Sequence, residues 1–392
     1  MVSQTRPKLS INQQEIIDFV SDLIRINTTN PPGNEYLCKD LIFSKFREIG
    51  LKVQTYEPVK GRTNFEGEIG KGKPSVALIG HLDTVSAGGG WKTNPFQAVL
   101  KNGRIYGRGA SDNKGPLVAV WAAVKAFLRC SPSFKGKIFL VAACDEETGS
   151  EFGIRALIRN GFKVDCALVP DAGYIDQAVI GEKGICRFEI ECFGKEAHGA
   201  SPYRGSNAIV PLAFLISALS DFGIDKKIDK NFKPLTVNIG TIEGGSAANV
   251  VPAYAKVAVD IRYPPPVTLK EVENEITRYL SKTQQQFPQA KLKLNKVHVS
   301  TPHIIDISQN RLIQSFAQSA KMLGLDLKYK TTGGNTVAKF LVEAGMSAFC
   351  HSPSRISVGH MPNEYVVIAD LVLAARLYAL TLIHFFNYTS GV

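Results

Sequence analysis

Residues 76–84 of this chain read Val-Ala-Leu-Ile-Gly-His-Leu-Asp-Thr, an apolar run that ends abruptly at a histidine and an aspartate. An apolar run of this length predicts a buried strand. Because side chains alternate along a strand, His81 and Asp83 are expected on the same side of the chain. The carboxyl end of a strand in an open α/β sheet is where ligands bind. A histidine backed by a carboxylate is also the common form of a zinc-bound imidazole, so this strand end predicts part of a metal site.

The size and composition of the chain predict a globular protein with two domains. It has 392 residues, of which 44% are hydrophobic and 21% are charged. The formal net charge of +11 comes from dispersed Lys and Arg residues, which argues against a nucleic-acid interface. A solvated basic surface is the simplest interpretation, and a positive field that favours anionic substrates is the alternative.

Two features favour a cytoplasmic protein. The seven cysteines are scattered and include no Cys-x-x-Cys motif, which fits a reducing compartment, and residues 1–10 lack an apolar signal core. Residues 365–386 are apolar and long enough to span a bilayer. However, Asp370 and Arg376 near the middle of this segment would be costly in lipid, so we expect a buried helix and no membrane partner.

Strands and helices alternate in the first half of the chain. The sequence predicts strands over 75–79, 137–143 and 166–169 and helices over 115–127 and 151–158. This alternation is typical of an α/β fold with a mixed, mostly parallel sheet and flanking helices. After Gly184 the order β–α–β–β–α predicts a small α+β domain. We therefore expect a metal-binding domain in two segments, 1–183 and 298–392, with an inserted α+β domain over 184–297.

Further acids and a second histidine occupy comparable positions. Asp112 precedes a predicted helix, residues 145–147 (Asp-Glu-Glu) and Asp171 follow predicted strands, and His360 precedes the last helix. Each has an ordinary alternative: Asp112 as a helix N-cap, the other acids as turn residues, and His360 as a structural histidine. Together they would crowd one sheet edge with acids, which repel one another unless cations lie between them. Nitrogen and oxygen donors without cysteine suit Zn²⁺, Co²⁺ or Mn²⁺.

The combined motifs resemble the M20 family of di-zinc metallohydrolases, which includes acetylornithine deacetylase, succinyl-diaminopimelate desuccinylase, aminoacylases and carboxypeptidases. The resemblance covers nearly the whole chain in order. Segment 28–35, Thr-Thr-Asn-Pro-Pro-Gly-Asn-Glu, also resembles the deacetylase and desuccinylase branch. The segments that carry the family resemblance are 80–84, 109–115, 145–149, Asp171 and 360–364.

The resemblance implies two divalent metal ions, with zinc expected and cobalt or manganese as alternatives. Asp112 would bridge the two metals. His81 and Asp171 would complete one metal site, and Glu147 and His360 would complete the other. His351 is a minor competitor to His360 as a ligand.

The resemblance also implies the catalytic roles. Asp83 would orient His81, and Glu146 would be the general base for attack of a metal-bound hydroxide on an amide. His198, in a motif typical of the family's lid domain, would stabilise the developing oxyanion in the active site of a partner subunit. This implies a homodimer through the inserted lid and dimerisation domain; a plain surface histidine is the alternative.

The resemblance further implies that three residues bind the substrate. Arg262 would bind a substrate carboxylate with the help of Asn249, and Gly334 belongs to the Gly-Gly loop of the pocket. The alternative for Arg262 is an ion pair with Asp260. The chain departs from the deacetylase and desuccinylase pattern after this loop, where Val337 and Lys339 stand in place of an acid and an arginine.

These features together predict a cytoplasmic, metal-dependent amide hydrolase that removes an acyl group from an N-acylated amino acid. The first alternative is an M20 carboxypeptidase or dipeptidase that cleaves a small peptide with a free carboxylate. A more distant alternative is a non-catalytic binding module, which would have lost a ligand or the base.

Overall fold

The computed structural model describes residues 9–354 and 356–387, which form two compact units. The first unit contains the chain up to Ile180, Ile305–Lys330 and the chain from Asn335 onward. The second unit contains Gly181–Ile304 and Thr331–Gly334. Most of the N-terminal segment that was predicted to lack a signal core, residues 1–8, lies outside the described residues.

Helices and strands alternate along the described chain. The α-helices are α1 Gln13–Arg25, α2 Lys39–Glu48, α3 Lys114–Cys130, α4 Ile154–Arg159, α5 Ile209–Ala218, α6 Leu269–Gln286, α7 Arg311–Met322, α8 Val337–Glu343 and α9 Ile368–Phe386. The strands are β1 Lys52–Val59, β2 Arg62–Lys71, β3 Ser75–His81, β4 Val99–Lys101, β5 Arg104–Tyr106, β6 Gly136–Ala143, β7 Cys166–Val169, β8 Gln177–Glu182, β9 Gly184–Phe193, β10 Thr236–Gly244, β11 Tyr254–Tyr263, β12 Lys291–Ser300, β13 His303–Ile304, β14 Lys328–Thr332, β15 Ser347–Cys350 and β16 Tyr365–Val367.

The first unit is built on a mixed sheet with the strand order β1-β2-β6-β3-β7-β15-β8. The central strands β6, β3, β7 and β15 run parallel, whereas β1, β2 and β8 pair antiparallel at the two sides. The predicted α/β fold with a largely parallel central sheet is confirmed. The carboxyl ends of β3, β6 and β7 therefore meet at one edge of the sheet.

Alternation along β3 divides the core of the first unit into two layers. Val76 and Leu78 pack into the core that contains buried residues of α1, α3, α7 and α9. Ala77 and Ile79 pack into the opposite core, with buried residues of α4 and α8. Because helices cover both faces, β3 is buried along its whole length, as its continuous apolar run indicates.

Helix α9 is the segment whose length and composition raised the question of a membrane span. Among the described helices it is the one long and apolar enough to cross a bilayer. It packs against α3 and α7, and most of its apolar side chains are buried in the core of the first unit. The expected buried helix is therefore observed, and Arg376 is exposed on its outer side.

The second unit is an α+β structure. Strands β10, β11, β9 and β12 form an antiparallel sheet in this order, and α5 and α6 contribute to the same apolar core. Strand β12 spans the boundary predicted after residue 297, and the second unit continues to Ile304. Strand β12 lies at a sheet edge and carries exposed lysines at 291 and 293. Charged residues are common on edge strands, and they make such a strand difficult to recognise from its sequence.

Candidate metal centre

The end of β3 delivers His81 and Asp83 into a polar cluster of the first unit. His81 is the last residue of β3 and its side chain is almost fully buried. The ring Nδ1 lies 3.0 Å from the backbone carbonyl oxygen of Asp83 and 3.5 Å from the Asp83 Oδ1. Both neighbours are acceptors, so Nδ1 carries a proton and donates it. Nε2 is then the nitrogen that faces the other acids.

The carboxylate of Asp112 lies between the two histidines. Its Oδ1 is 3.1 Å from the His81 Nε2, and its Oδ2 is 3.1 Å from the His360 Nε2. Asp171 approaches the first histidine at 3.7 Å, and Glu147 approaches the second at 3.1 Å. The five predicted ligands thus form two groups of three that share Asp112. Within each group the potential ligand atoms lie within 4.8 Å of one another.

The two adjacent glutamates lie on a short 3-10 turn, Glu146–Thr148, after β6. The backbone N–H groups of Glu146 and Glu147 donate to the two carboxylate oxygens of Asp83, at 3.0 and 3.1 Å. Glu147 points to His360, whereas the Glu146 carboxylate belongs to neither ligand group among the described residues. Asp83 therefore has a function that the sequence did not indicate, because it also holds the turn that carries both glutamates.

Asn113 connects three of the strand ends and loops that supply the ligands. Its side-chain Nδ2 donates to the carbonyl oxygen of Pro170 at 2.8 Å and to the Asp171 Oδ1 at 3.2 Å. Its Oδ1 accepts a hydrogen bond from the backbone N–H of His81 at 3.3 Å. From the sequence alone, Asn113 is recognised only as the residue between Asp112 and a predicted helix.

Glu364 joins the loop of His360 to the loop of Asp112. Its buried carboxylate accepts hydrogen bonds from the backbone N–H of Ser111 at 2.7 Å and of Asp112 at 3.0 Å. It also pairs with the buried guanidinium of Arg108 at 2.6 Å. His360 itself has a left-handed backbone, with φ at 63°, a conformation that is uncommon for residues other than glycine. Glu364 belongs to the motif after His360, but the sequence assigned it no function.

The carboxylates raise the pKa values of both histidines. Burial of the His81 ring opposes its protonation, but hydrogen bonds to Asp112 and Asp171 outweigh burial and raise its pKa well above the usual range. Hydrogen bonds to Asp112 and Glu147 raise the pKa of His360 to about 10. A group of acids that stabilises positive charge on imidazoles in this way would also stabilise a divalent cation.

Burial and mutual repulsion act on the carboxyls themselves. Burial raises the pKa of Glu147 and of Asp171. Burial, followed by the charge of Asp171, raises the pKa of Glu146 well above its ordinary value. Burial acts in the same direction on Asp112, but hydrogen bonds from both histidines outweigh it and keep the pKa of Asp112 below its ordinary value. The surroundings therefore shift the pKa values of neighbouring acids in opposite directions, which suits a base beside a ligand.

The residues of the cluster fit a pair of divalent cations. Among the described residues, the buried Glu147 Oε1 has no hydrogen-bond partner, although a buried carboxylate oxygen needs one. A cation would satisfy this oxygen. Two imidazoles and three carboxylates without thiolates form a donor set suited to Zn²⁺, Co²⁺ or Mn²⁺.

In the second unit, His198 and Asn249 lie on neighbouring loops. The backbone N–H of Gly199 donates to the carbonyl oxygen of Asn249 at 2.7 Å. The His198 side chain is exposed, and its Nδ1 accepts a hydrogen bond from the backbone N–H of Ala200 at 3.0 Å. This contact leaves the Nε2 of the neutral ring protonated, so Nε2 can donate a hydrogen bond.

Arg262 makes the ion pair that was the alternative to substrate binding. Its Nη2 lies 3.0 Å from the Asp260 Oδ2, and its Nη1 donates to the carbonyl oxygen of Gly333 at 2.9 Å. The backbone N–H of Gly334 donates to the Thr332 Oγ1 at 3.0 Å. Arg262 and the Gly-Gly loop are therefore neighbours. The guanidinium retains N–H donors beyond those used in these contacts.

The remaining candidates from the sequence are buried in the first unit. His351 contacts the Tyr378 hydroxyl and the carbonyl oxygen of Ile175, and it belongs to neither ligand group. Val337, the first residue of α8, packs into the apolar core, and Lys339 is fully buried. These two residues depart from the acid and arginine of the deacetylase and desuccinylase pattern.

The fold and the paired ligand groups define a class of protein, the dinuclear metallohydrolases built on a mixed α/β sheet. The family model of peptidase family M20/M25/M40 matches residues 77–384. The chain belongs to this family. It is a metallohydrolase that acts on amide or peptide bonds, and the family is one of dinuclear metal-binding peptidases.

Relatives match nearly the whole chain. An uncharacterized metallohydrolase of Methanocaldococcus jannaschii is 29% identical over 409 aligned positions, which cover 93% of this chain and 98% of the relative. Succinyl-diaminopimelate desuccinylase of Halorhodospira halophila is 27% identical and is covered to 96%, with 92% of this chain. A solved Bacillus subtilis protein described as a dinuclear metal binding peptidase from the M20 family has a TM-score of 0.73 at 15% identity, with coverage of 95% of this chain and 98% of that protein.

Proposed function

We propose that this protein is an N-acyl-amino-acid deacylase, similar to acetylornithine deacetylase or succinyl-diaminopimelate desuccinylase. The observation that carries the proposal is the pair of three-ligand groups that share Asp112, with the Glu146 carboxyl beside them and outside both. The name of the Halorhodospira halophila relative and the resemblance of segment 28–35 to the same branch support the acylated amino acid as substrate.

The proposed centre holds two divalent metal ions, with zinc as the expected metal. His81, Asp171 and Asp112 would hold one ion, and Asp112, Glu147 and His360 would hold the other. When bound, the ions polarise the amide carbonyl and lower the pKa of water so that a carboxylate can deprotonate it.

Glu146 is the proposed general base. Its carboxyl has a raised pKa, which favours both acceptance of a proton from the attacking water and its return to the leaving amine. Asp83 has two roles in the proposed mechanism. It orients His81 through Nδ1, and it fixes the backbone of the turn that presents Glu146.

His198 and Arg262 are the proposed substrate-side residues of the second unit. The protonated Nε2 of His198 can donate to the carbonyl oxygen as negative charge develops on it. Arg262, with Asn249 and Gly334, would hold the free carboxylate of the substrate. The orientation of Arg262 by Asp260 and Gly333 supports this role, because an oriented guanidinium loses less freedom when it binds a carboxylate.

Cleavage of a small peptide by a carboxypeptidase or dipeptidase activity is the second candidate. It is favoured by the burial of Val337 and Lys339 at the positions where the deacylase branch carries an acid and an arginine. We infer from these two departures that the substrate pocket differs from that of the deacylase branch.

A panel of substrates separates the two candidates. Purified protein loaded with Zn²⁺, Co²⁺ or Mn²⁺ would be incubated with N-acetyl and N-succinyl amino acids and with dipeptides. Preferred hydrolysis of the N-acyl amino acids is expected, and exclusive hydrolysis of dipeptides would replace the first proposal with the second. Glu146→Gln should abolish turnover in either case, whereas Glu151→Gln, a matched change at an exposed acid nearby, should not.

We further propose that the enzyme is a cytoplasmic homodimer that associates through the second unit. Strand β10 lies at the edge of the sheet, and its Ile242 is exposed together with Val210 and Phe214 of α5. Exposed apolar side chains beside a sheet edge are typical of an interface. The scattered positions of the seven cysteines, with no Cys-x-x-Cys motif, support a reducing compartment. Sedimentation velocity of wild type and of Ile242→Asp would test the dimer.

A further inference from the structure

The segment at 28–35 contains Asn30, whose side chain is buried beneath the turn that carries Glu146. Its Nδ2 donates to the Asp83 Oδ2 at 2.9 Å and to the Thr148 Oγ1 at 3.0 Å, and it lies 3.4 Å from the Asp145 Oδ1. The amide therefore contacts both ends of the turn and the carboxylate that accepts the backbone N–H of Glu146. Among the described residues, no hydrogen bond joins this amide to any of the five proposed ligands.

Arg62 holds the same amide from the other side. Its Nη1 donates to the Asn30 Oδ1 at 3.0 Å, and its Nη2 lies 2.9 Å from the Asp145 Oδ1. The guanidinium also forms a two-pronged ion pair with Glu35, through Nε at 3.0 Å and Nη2 at 2.9 Å. Glu35 in turn accepts the backbone N–H of Asp145 at 3.3 Å.

The chemistry of this position selects an asparagine. One side chain has to donate to two carboxylates, Asp83 and Asp145, and accept from a guanidinium, and an amide does both. An aspartate of the same shape would place a third carboxylate against the other two. An alanine would leave buried polar groups without their partner.

We propose that Asn30 and Arg62 are positioning residues for the general base. Together with Asp83 they fix the backbone of residues 145–148, and this keeps the Glu146 carboxyl at the reacting water instead of allowing the turn to shift. The inference rests on the proposed function of Glu146. It assigns a purpose to segment 28–35, which supplies both Asn30 and Glu35 to the network.

Steady-state kinetics of Asn30→Ala test the proposal against a matched control. Asn310 is equally buried, at 6% exposure, and its amide also makes hydrogen bonds, with Ser347 and the N-terminus of α7. Asn30→Ala should lower kcat by about 10- to 100-fold with KM and metal stoichiometry unchanged, because a residue behind the metal shell acts through geometry. Asn310→Ala should leave kcat unchanged.

Asn30→Asp and Thr148→Val extend the test. The isosteric Asn30→Asp should lower kcat at least as much as Asn30→Ala, because shape alone does not replace the donor. Thr148→Val removes one acceptor of the amide at an exposed position and should give a smaller fall in kcat. This variant keeps the test decisive if Asn30→Ala does not fold. Wild-type kcat in Asn30→Asp or in Thr148→Val would overturn the proposal, as would an equal loss in Asn310→Ala.

Hydrogen exchange gives a readout that does not depend on activity. The amides of Glu146 and Glu147, which donate to Asp83, should exchange faster in Asn30→Ala than in wild type, and not in Asn310→Ala. If wild type hydrolyses no member of the panel, the proposed function fails, but this measurement still decides whether Asn30 holds the turn. Unchanged exchange in Asn30→Ala would overturn the positioning role even where activity is lost.

Discussion

The buried pair of His351 and Tyr378 predicts a pH dependence in the stability of the first unit. The His351 Nδ1 lies 2.7 Å from the Tyr378 hydroxyl, and its Nε2 lies 3.1 Å from the carbonyl oxygen of Ile175. The neutral ring satisfies both partners, since Nε2 donates to the carbonyl and Nδ1 accepts from the hydroxyl. Burial lowers the pKa of His351 from 6.5 to about 4, although the carbonyl of Ile175 and the charge of Asp176 act in the opposite direction.

The sign of the effect follows from which state binds the proton. The unfolded chain takes up a proton with a pKa near 6.5, whereas the folded chain does so only near 4, so the unfolded state carries more protons between these values. Stability is therefore complete above the higher pKa and is lost as the pH falls toward the lower one. The separation of the two pKa values corresponds to about 3 kcal/mol in total, and to about 2 kcal/mol of this at about pH 5.

His351→Gln removes the titrating group and keeps an amide that can donate and accept. Urea unfolding would be followed by tryptophan fluorescence, because Trp91 and Trp121 both belong to the first unit. Between about pH 8 and about pH 5, wild type should lose about 2 kcal/mol more stability than the variant. Parallel losses would refute the reasoning. Bound metal should be equal in the two proteins, and loss of one metal equivalent would return His351 to the ligand set.

Four further substitutions address the centre and the substrate-side residues. Glu146→Gln should retain both metals and lose most activity, whereas Glu147→Gln should lose metal, as measured by elemental analysis; the reverse result would exchange the two roles. His198→Ala should lower kcat by about 10²- to 10³-fold, the cost of one oxyanion donor, with unchanged metal content, and an unaltered kcat would leave it a surface histidine. Arg262→Ala should raise KM for substrates with a free carboxylate; an unchanged KM would contradict carboxylate binding and leave only the ion pair with Asp260.

The sequence predicts the central strands better than the flanking ones. The strand that ends at His81 is buried on both faces and is continuous in apolar residues. Its sequence pattern therefore predicts directly that it is a central strand of the sheet. Strand β2 was missed because it begins with Arg62, Thr63 and Asn64. These side chains are buried for a local reason: Arg62 pairs with Glu35, and Asn64 donates to the carbonyl oxygen of Phe152. Polar residues that serve a site interrupt the apolar pattern on which strand prediction depends.

The same reasoning explains what the sequence shows of the centre. Ligand types at strand ends can be read from spacing, because parallel strands deliver their carboxyl ends to one edge. The hydrogen bonds that support the ligands cannot be predicted from spacing, because they join residues far apart in the chain. The Asn30 amide donates to Asp83, and the backbone N–H of Ser111 donates to Glu364. A residue such as Glu364 gives no signal of its own in one sequence, because an acid near a histidine is common in loops.

Buried polar side chains that are not ligands place the proposed ligands. Asn113 binds the backbone of His81 and the side chain of Asp171, Glu364 binds the backbone of Asp112, and Asp83 binds the backbone of Glu147. Acids that repel one another would otherwise move apart, so an arrangement held only by contacts among the ligands would depend on the cations for its shape. Because backbone hydrogen bonds fix each loop independently, the ligand atoms converge through the fold itself. These supporting hydrogen bonds matter most for the proposed base. Glu146 belongs to neither ligand group, so its position depends on Asp83 and on the residues that contact Asp83.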